Sequence, residues 1–160
     1  HYNPANRSLN LSPDVHDSQS LSSIGVACHE AGHALQHAEN YAPLKWRSAL
    51  VPITQFSSHG AYIFILLGVF MQSMAMSQFG VILFGVGFVF ALVTLPVEWD
   101  ATARAKRLMV GDGIVQPQEA HDAGKVLDAA FLTYVAAAVS ALLTLLYYAL
   151  RLGLLGGRDD

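Results

Sequence analysis

Residues 29 to 33 read His29-Glu30-Ala31-Gly32-His33. On an α-helix, positions four apart lie one turn above each other, so both imidazoles can present a ring nitrogen to one metal ion at about 2.0 to 2.1 Å. Glu30 then stands beside the ion rather than on it, where a carboxylate can take a proton from a water whose pKa the metal has lowered toward about 7. The chemistry this spacing points to is zinc-assisted hydrolysis. The bland alternative is a helix that holds these three residues by accident. With His 7 in 160 residues, chance matches to the pattern amount to only about 0.01 per chain.

A hydrolytic zinc needs three protein ligands and an open fourth position. His37 is the nearest further histidine, but eight residues along an unbroken helix place it about 12 Å from His29. No glycine break in Gln36-His37-Ala38 bends the chain back, so His37 is expected behind the site or at an interface, not on the metal. Glu98 and Asp100 are better placed, as the first acids after a long uncharged stretch, and Glu98 is favoured as the third ligand. Asp100 is expected to support a ligand histidine by accepting a hydrogen bond from it. Arg104, one turn beyond Asp100, could face a substrate carboxylate or an oxyanion, although a solvated pair with Asp100 is the simpler expectation.

The elements that must hold these residues follow from the distribution of charge. The chain is 53% hydrophobic and only 13% charged, against about 25% charged in ordinary soluble domains. No Asp, Glu, Lys or Arg occurs from Ser48 to Val97, nor from Ala129 to Leu150. A helical crossing takes about 20 apolar residues, so the first gap accommodates two crossings with a tight turn and the second accommodates one. Disorder and a disulfide scaffold are excluded by the apolar content and by Cys28 being the only cysteine. A net charge of -3, with no basic cluster interleaved with aromatics, excludes a nucleic-acid binder.

The expected fold is therefore mainly α and membrane-integral: the helix bearing the motif, a transmembrane helical hairpin, and a third long transmembrane helix, with a short β-strand or hairpin near the N-terminus. Residues 1–57 form a polar segment with an alternating stretch at Arg7 to Ser12, then a helix from Leu21 to Glu39 capped by Ser18 or Ser20, then a semi-polar connector over 44–58. The hairpin spans 58–97, turning at Ser77-Gln78-Phe79-Gly80. Its second helix is expected to run on past Pro96 into 98–128, where Gly111-Asp112-Gly113 breaks it. A helix opening near Pro117 continues into the span 129–151, and 152–160 is a tail. Lys45, Arg47, Arg104, Lys106, Arg107 and Lys125 lie on one side of the spans, against Arg151 and Arg158 on the other. The positive-inside rule makes the larger side cytoplasmic. The chain begins at His1 without the pattern of a signal peptide, which reads as a fragment or a processed form.

Longer stretches carry a resemblance. HYNPANRSLNLSPDV, GVACHEAGHALQHAENYAPLKWRSALVP, LVTLPVEWDATARA and VLDAAFLTYVAAAVSALL, in this order, are similar to the YugP-like membrane zinc metallopeptidases, also called neutral zinc metallopeptidase family 2. The resemblance implies a membrane-anchored, gluzincin-like peptidase acting on a peptide or protein substrate, with Zn²⁺ as cofactor and the bilayer as partner. It assigns His29, His33 and Glu98 as ligands and Glu30 as base. Members of that family are longer at the amino end. Asp100 follows Glu98 by two residues rather than four, leaving Thr102 where better-known membrane gluzincins carry an acid. Two rival functions make other demands on the same residues. A zinc transporter or sensor would place its ligands inside the spans, whereas the motif lies outside all three, and a zinc-stabilised scaffold would leave no position open.

Overall fold

The structure, a computed structural model, describes residues 1–155. Two short strands, β1 (Tyr2–Asn3) and β2 (Ser8–Leu9), are followed by five helices: α1 (Pro13–His16), α2 (Leu21–Ala38), α3 (Ala42–Phe70), α4 (Met74–Gly111) and α5 (Pro117–Arg151). The architecture is mainly helical. α3, α4 and α5 are each long and apolar enough to cross a membrane.

The helix boundaries have local causes. Ser20 caps α2 by accepting a hydrogen bond from the Ser23 N–H at 3.1 Å. Asn40, at φ 59°, ends the same helix: Tyr41 N–H bonds the Gln36 carbonyl at 2.9 Å and Asn40 N–H the His37 carbonyl at 3.1 Å, the paired bonds of a left-handed C-cap. Gln72, at φ 53°, closes α3 in the same way, with Ser73 N–H on the Gly68 carbonyl at 2.7 Å. Gly113, at φ 65°, closes α4.

The chain forms two compact units. The first comprises His1–Lys45 and Thr94–Tyr134, and the second Trp46–Val93 with the chain from Val135 on. In the first unit, Cys28, Ala105, Met109, Ala120, Ala123 and Leu127 form the buried core, with Leu21, Ile24 and Val115 packed against it. α2 lies close to α4. A Cβ added at Gly32 would stand 2.6 Å from the Ala101 carbonyl oxygen, so the glycine inside the HEAGH motif is what lets the helices approach. Lys106 Nζ bonds Asp128 Oδ1 at 2.6 Å between α4 and α5.

In the second unit, α3 and the first half of α4 make a tight antiparallel pair. A Cβ at Gly80 would fall 2.7 Å from the Ala61 carbonyl oxygen. Phe64 meets Phe79 edge to face at 4.8 Å, Tyr62 meets Phe84 at 4.9 Å, and Phe84 stacks on Tyr148 of α5 at 5.5 Å. Ile65, Val81 and Ala149 form the buried cluster.

Three expectations shift. The turn between the first two long helices is at Met71 to Ser73 rather than Ser77 to Gly80, because Gly80 is spent on helix contact and Gln72 takes the left-handed conformation. The stretch 44–58 is helix rather than connector. Ser57 and Ser58 return their hydroxyls to the carbonyls of Ile53 and Thr54 in the preceding turn, at 2.6 and 2.8 Å, so polar residues there do not interrupt α3. Pro52 sits within the helix. The alternating stretch at Arg7 to Ser12 contributes only Ser8–Leu9 as strand, paired antiparallel with Tyr2–Asn3. The tail from Gly156 to Asp160, including Arg158, lies outside the described residues.

Candidate metal centre

α2 presents His29 and His33 toward α4, as a four-residue spacing on a helix requires. From α4, Glu98 faces both: its Oε2 lies 3.0 Å from His29 Nε2 and 3.6 Å from His33 Nε2. Two atoms each about 2.0 to 2.1 Å from a tetrahedral ion stand about 3.3 to 3.4 Å apart, so the observed separations bracket those a zinc centre needs. One ligand atom from each of the three residues lies within 4.8 Å of the others. Among the described residues, this is the group of His, Cys, Asp or Glu side chains that could hold a metal ion.

The hydrogen bonds behind the histidines decide which nitrogen is available. Gln36 is completely buried, and its Nε2 donates to the Val97 carbonyl at 2.8 Å and to Asp100 Oδ2 at 2.9 Å. Two acceptors around that nitrogen fix the orientation of the amide, so Oε1 is the atom 2.9 Å from His33 Nδ1. Nδ1 must then carry a proton and donate it, which leaves the lone pair of neutral His33 on Nε2, the nitrogen facing Glu98. Thr102, one turn beyond Glu98, places its hydroxyl 3.4 Å from His29 Nδ1.

The electrostatics follow from this burial. Desolvation lowers the His33 pKa, but the Glu98 carboxylate, the bond to Gln36 and the charge of Glu30 outweigh it, holding the imidazole above the ordinary histidine value. The side chain of Glu98 is 2% exposed, whereas His29 and Glu30 are 16% and 18% exposed, so the centre opens on the side of α2 that bears Glu30.

Glu30 accepts the Tyr2 backbone N–H on Oε2 at 2.7 Å. Asp100 does not touch a histidine. It accepts from Gln36 and from Arg104 Nε at 2.5 Å, acting on His33 through the intervening amide. Arg104 also bonds Glu39 Oε2 at 2.7 Å and lies 5.9 Å from the Tyr41 ring, tying the C-terminal end of α2 to α4. His37 pairs its Nδ1 with the Tyr2 hydroxyl at 2.7 Å, away from the ligand atoms. Gln36 and Tyr2 carry roles that metal-ligand spacing in the sequence does not point to, whereas Thr102 stands at the position where the resemblance leads one to look for an acid, and it is a hydroxyl that meets His29 there. For Gln36 a signal existed, since a glutamine three residues after His33 shares its helix face.

The comparisons agree with this chemistry. Residues 1–153 match the family described as "Putative neutral zinc metallopeptidase". The chain is 42% identical over 160 residues to the "Putative membrane protease YugP" of Bacillus subtilis (strain 168), an alignment that covers 100% of this chain and 70% of that protein. No solved structure matches it. With a profile match over nearly its whole length and a relative of this identity, the chain belongs to the neutral zinc metallopeptidase family.

Proposed function

We propose that the protein hydrolyses peptide bonds at a membrane surface, with His29, His33 and Glu98 holding zinc and Glu30 serving as general base. The observation that carries this reading is the convergence of His29 Nε2 and His33 Nε2 on one oxygen of Glu98, with Glu30 on the open side. His33 keeps its Nε2 lone pair available because the Gln36 amide oxygen engages Nδ1, and the Thr102 hydroxyl contacts the corresponding nitrogen of His29. Zinc bound by this donor set supplies Lewis-acid polarisation of a carbonyl and acidifies water. Glu30 takes a proton from the water as its oxygen adds to the carbonyl carbon and the C=O π bond opens, then delivers that proton to the amide nitrogen as the carbonyl re-forms and the C–N bond breaks, leaving a carboxyl group and an amine. Asp100, through Gln36, keeps the His33 ring in place during this cycle.

The substrate in this reading is a peptide or protein segment reaching the side of the membrane where the six cations from Lys45 to Lys125 lie, and the excess of cations there supports a cytoplasmic site. The test is Glu30→Gln in the detergent-purified protein, reading zinc by elemental analysis and cleavage with an unstructured fluorogenic peptide. We expect zinc content unchanged and turnover reduced about 10²- to 10⁴-fold. Full activity in the variant contradicts the mechanism.

A further inference from the structure

We infer that Tyr2 is a positioning residue for Glu30, clamping the carboxylate with its backbone and the motif helix with its side chain; this rests on Glu30 being the general base. Within the β1–β2 hairpin, His1 and Asn10 exchange both backbone hydrogen bonds, with Asn10 N–H on the His1 carbonyl at 2.8 Å. The next pair in the register is Tyr2 with Leu9. In an antiparallel ladder, hydrogen-bonded and non-bonded pairs alternate, so the Tyr2 N–H points out of the hairpin. It meets Glu30 Oε2 at 2.7 Å, while the His1 nitrogen stands farther off at 3.9 Å.

The side chain of Tyr2 reaches the same face of α2. Its hydroxyl lies 2.7 Å from His37 Nδ1, and the two rings meet edge to face at 5.8 Å. Glu30 and His37 are seven residues apart, two helical turns along one stripe. One residue therefore spans both positions, and the hairpin cannot slide along α2 without breaking two short bonds. A charge-assisted bond from a backbone amide to a carboxylate is stronger than a neutral one. It engages a single oxygen of Glu30, so the other keeps its capacity to accept a proton. His37, which spacing excludes from the metal, thereby acquires a role as the anchor of the strand that aims the base.

Tyr2→Pro removes the N–H without removing a ladder bond. In the full chain we expect kcat to fall about ten- to a hundredfold, as a small misplacement of a reacting group allows, with KM and zinc content unchanged. Tyr2→Phe keeps the amide and is expected to restore most of kcat. A second measurement does not depend on turnover: in protein labelled with ¹⁵N-tyrosine, the Tyr2 amide should exchange at least about tenfold faster with solvent in Glu30→Ala than in the unaltered chain. Equal exchange rates overturn the clamp, as does wild-type or raised kcat in a zinc-replete Tyr2→Pro variant. Should Tyr2→Pro lose zinc through misfolding, the exchange measurement decides. A protein in which neither the unaltered chain nor Glu30→Gln cleaves peptide would refute the proposed function, whereas the exchange comparison would still test the contact.

Discussion

The two units of this protein differ in what their buried polar side chains meet. In the unit formed by His1–Lys45 and Thr94–Tyr134, buried polar side chains are shared between elements: Gln36 of α2 with Val97 and Asp100 of α4, and His29 of α2 with Glu98 and Thr102 of α4. In the other unit, Ser57, Ser58 and His59 bond carbonyls four residues back in their own helix, and Ser77 and Gln78 reach the backbone carbonyls of Ile65 and Leu152, so these polar side chains are spent on backbone rather than on one another. That second unit also exposes large apolar side chains such as Phe70, Leu66, Val69 and Ile63. A helix facing hydrocarbon must satisfy its polar atoms internally and gains by packing small residues closely. A helix that holds a metal centre must instead spend its polar atoms on a neighbour. The bonds between side chains of α2 and α4 lie around the candidate metal site.

Glycine substitutions separate the two practices most forcefully. Gly32→Ala drives a Cβ against the Ala101 backbone, which cannot yield cheaply, so α2 and α4 must part. Overpacking of this kind costs about 1–3 kcal/mol, and we expect loss of zinc binding, measured by elemental analysis, together with a lower unfolding temperature. Gly80→Ala meets the Ala61 carbonyl at a similar distance in the other unit. It should lower the unfolding temperature while leaving one zinc per chain. Zinc lost equally from both variants would break the distinction.

Next in size is Gln36→Leu, which fills the volume but leaves the His33 Nδ1 proton, the Val97 carbonyl and one Asp100 oxygen without the amide. Loss of a partner that orients a ligand histidine typically weakens metal binding 10- to 100-fold, and competition with a calibrated chelator reads that directly. A pH titration gives the smallest effect. Zinc binds neutral imidazole, and His33 is held above the ordinary histidine value of about 6.5. Affinity is therefore full above the raised value and falls as pH drops through it, beginning at a higher pH than for an unperturbed histidine. The metal-free fold has the opposite dependence. The charged His33–Glu98 pair stabilises it below the ordinary value, and that contribution is lost as pH rises through the raised one. Because the bond to Gln36 is one of the raising influences, Gln36→Leu should shift the onset to lower pH.

The legible part of the site is the part carried by a single helix. His29, Glu30 and His33 are fixed relative to one another by helical periodicity, so their spacing alone places them. Glu98 was reachable because an acid that ends a long uncharged helix stands out against its surroundings. The support behind them was hidden, since whether Gln36 reaches Asp100 depends on the register of α2 against α4, which Gly32 sets through a contact far away in sequence. Tyr2 was hidden for the same reason, as only hairpin pairing shows that its N–H is free to turn outward. The long helices were visible from charge, but their ends were not. Gly80 carries the composition of a turn and serves close packing, while Gln72, an ordinary residue in sequence, adopts the left-handed cap.

The central claim is that α2 and α4 jointly bind one zinc ion through two imidazoles and the Glu98 carboxylate. X-ray absorption at the zinc edge on zinc-replete protein tests it most directly. We expect two nitrogen ligands and a carboxylate oxygen at about 2.0 to 2.2 Å, with the signal abolished by Glu98→Ala and retained in Asp100→Asn. A zinc-free spectrum, a sulfur ligand from Cys28, or zinc that survives Glu98→Ala would contradict it.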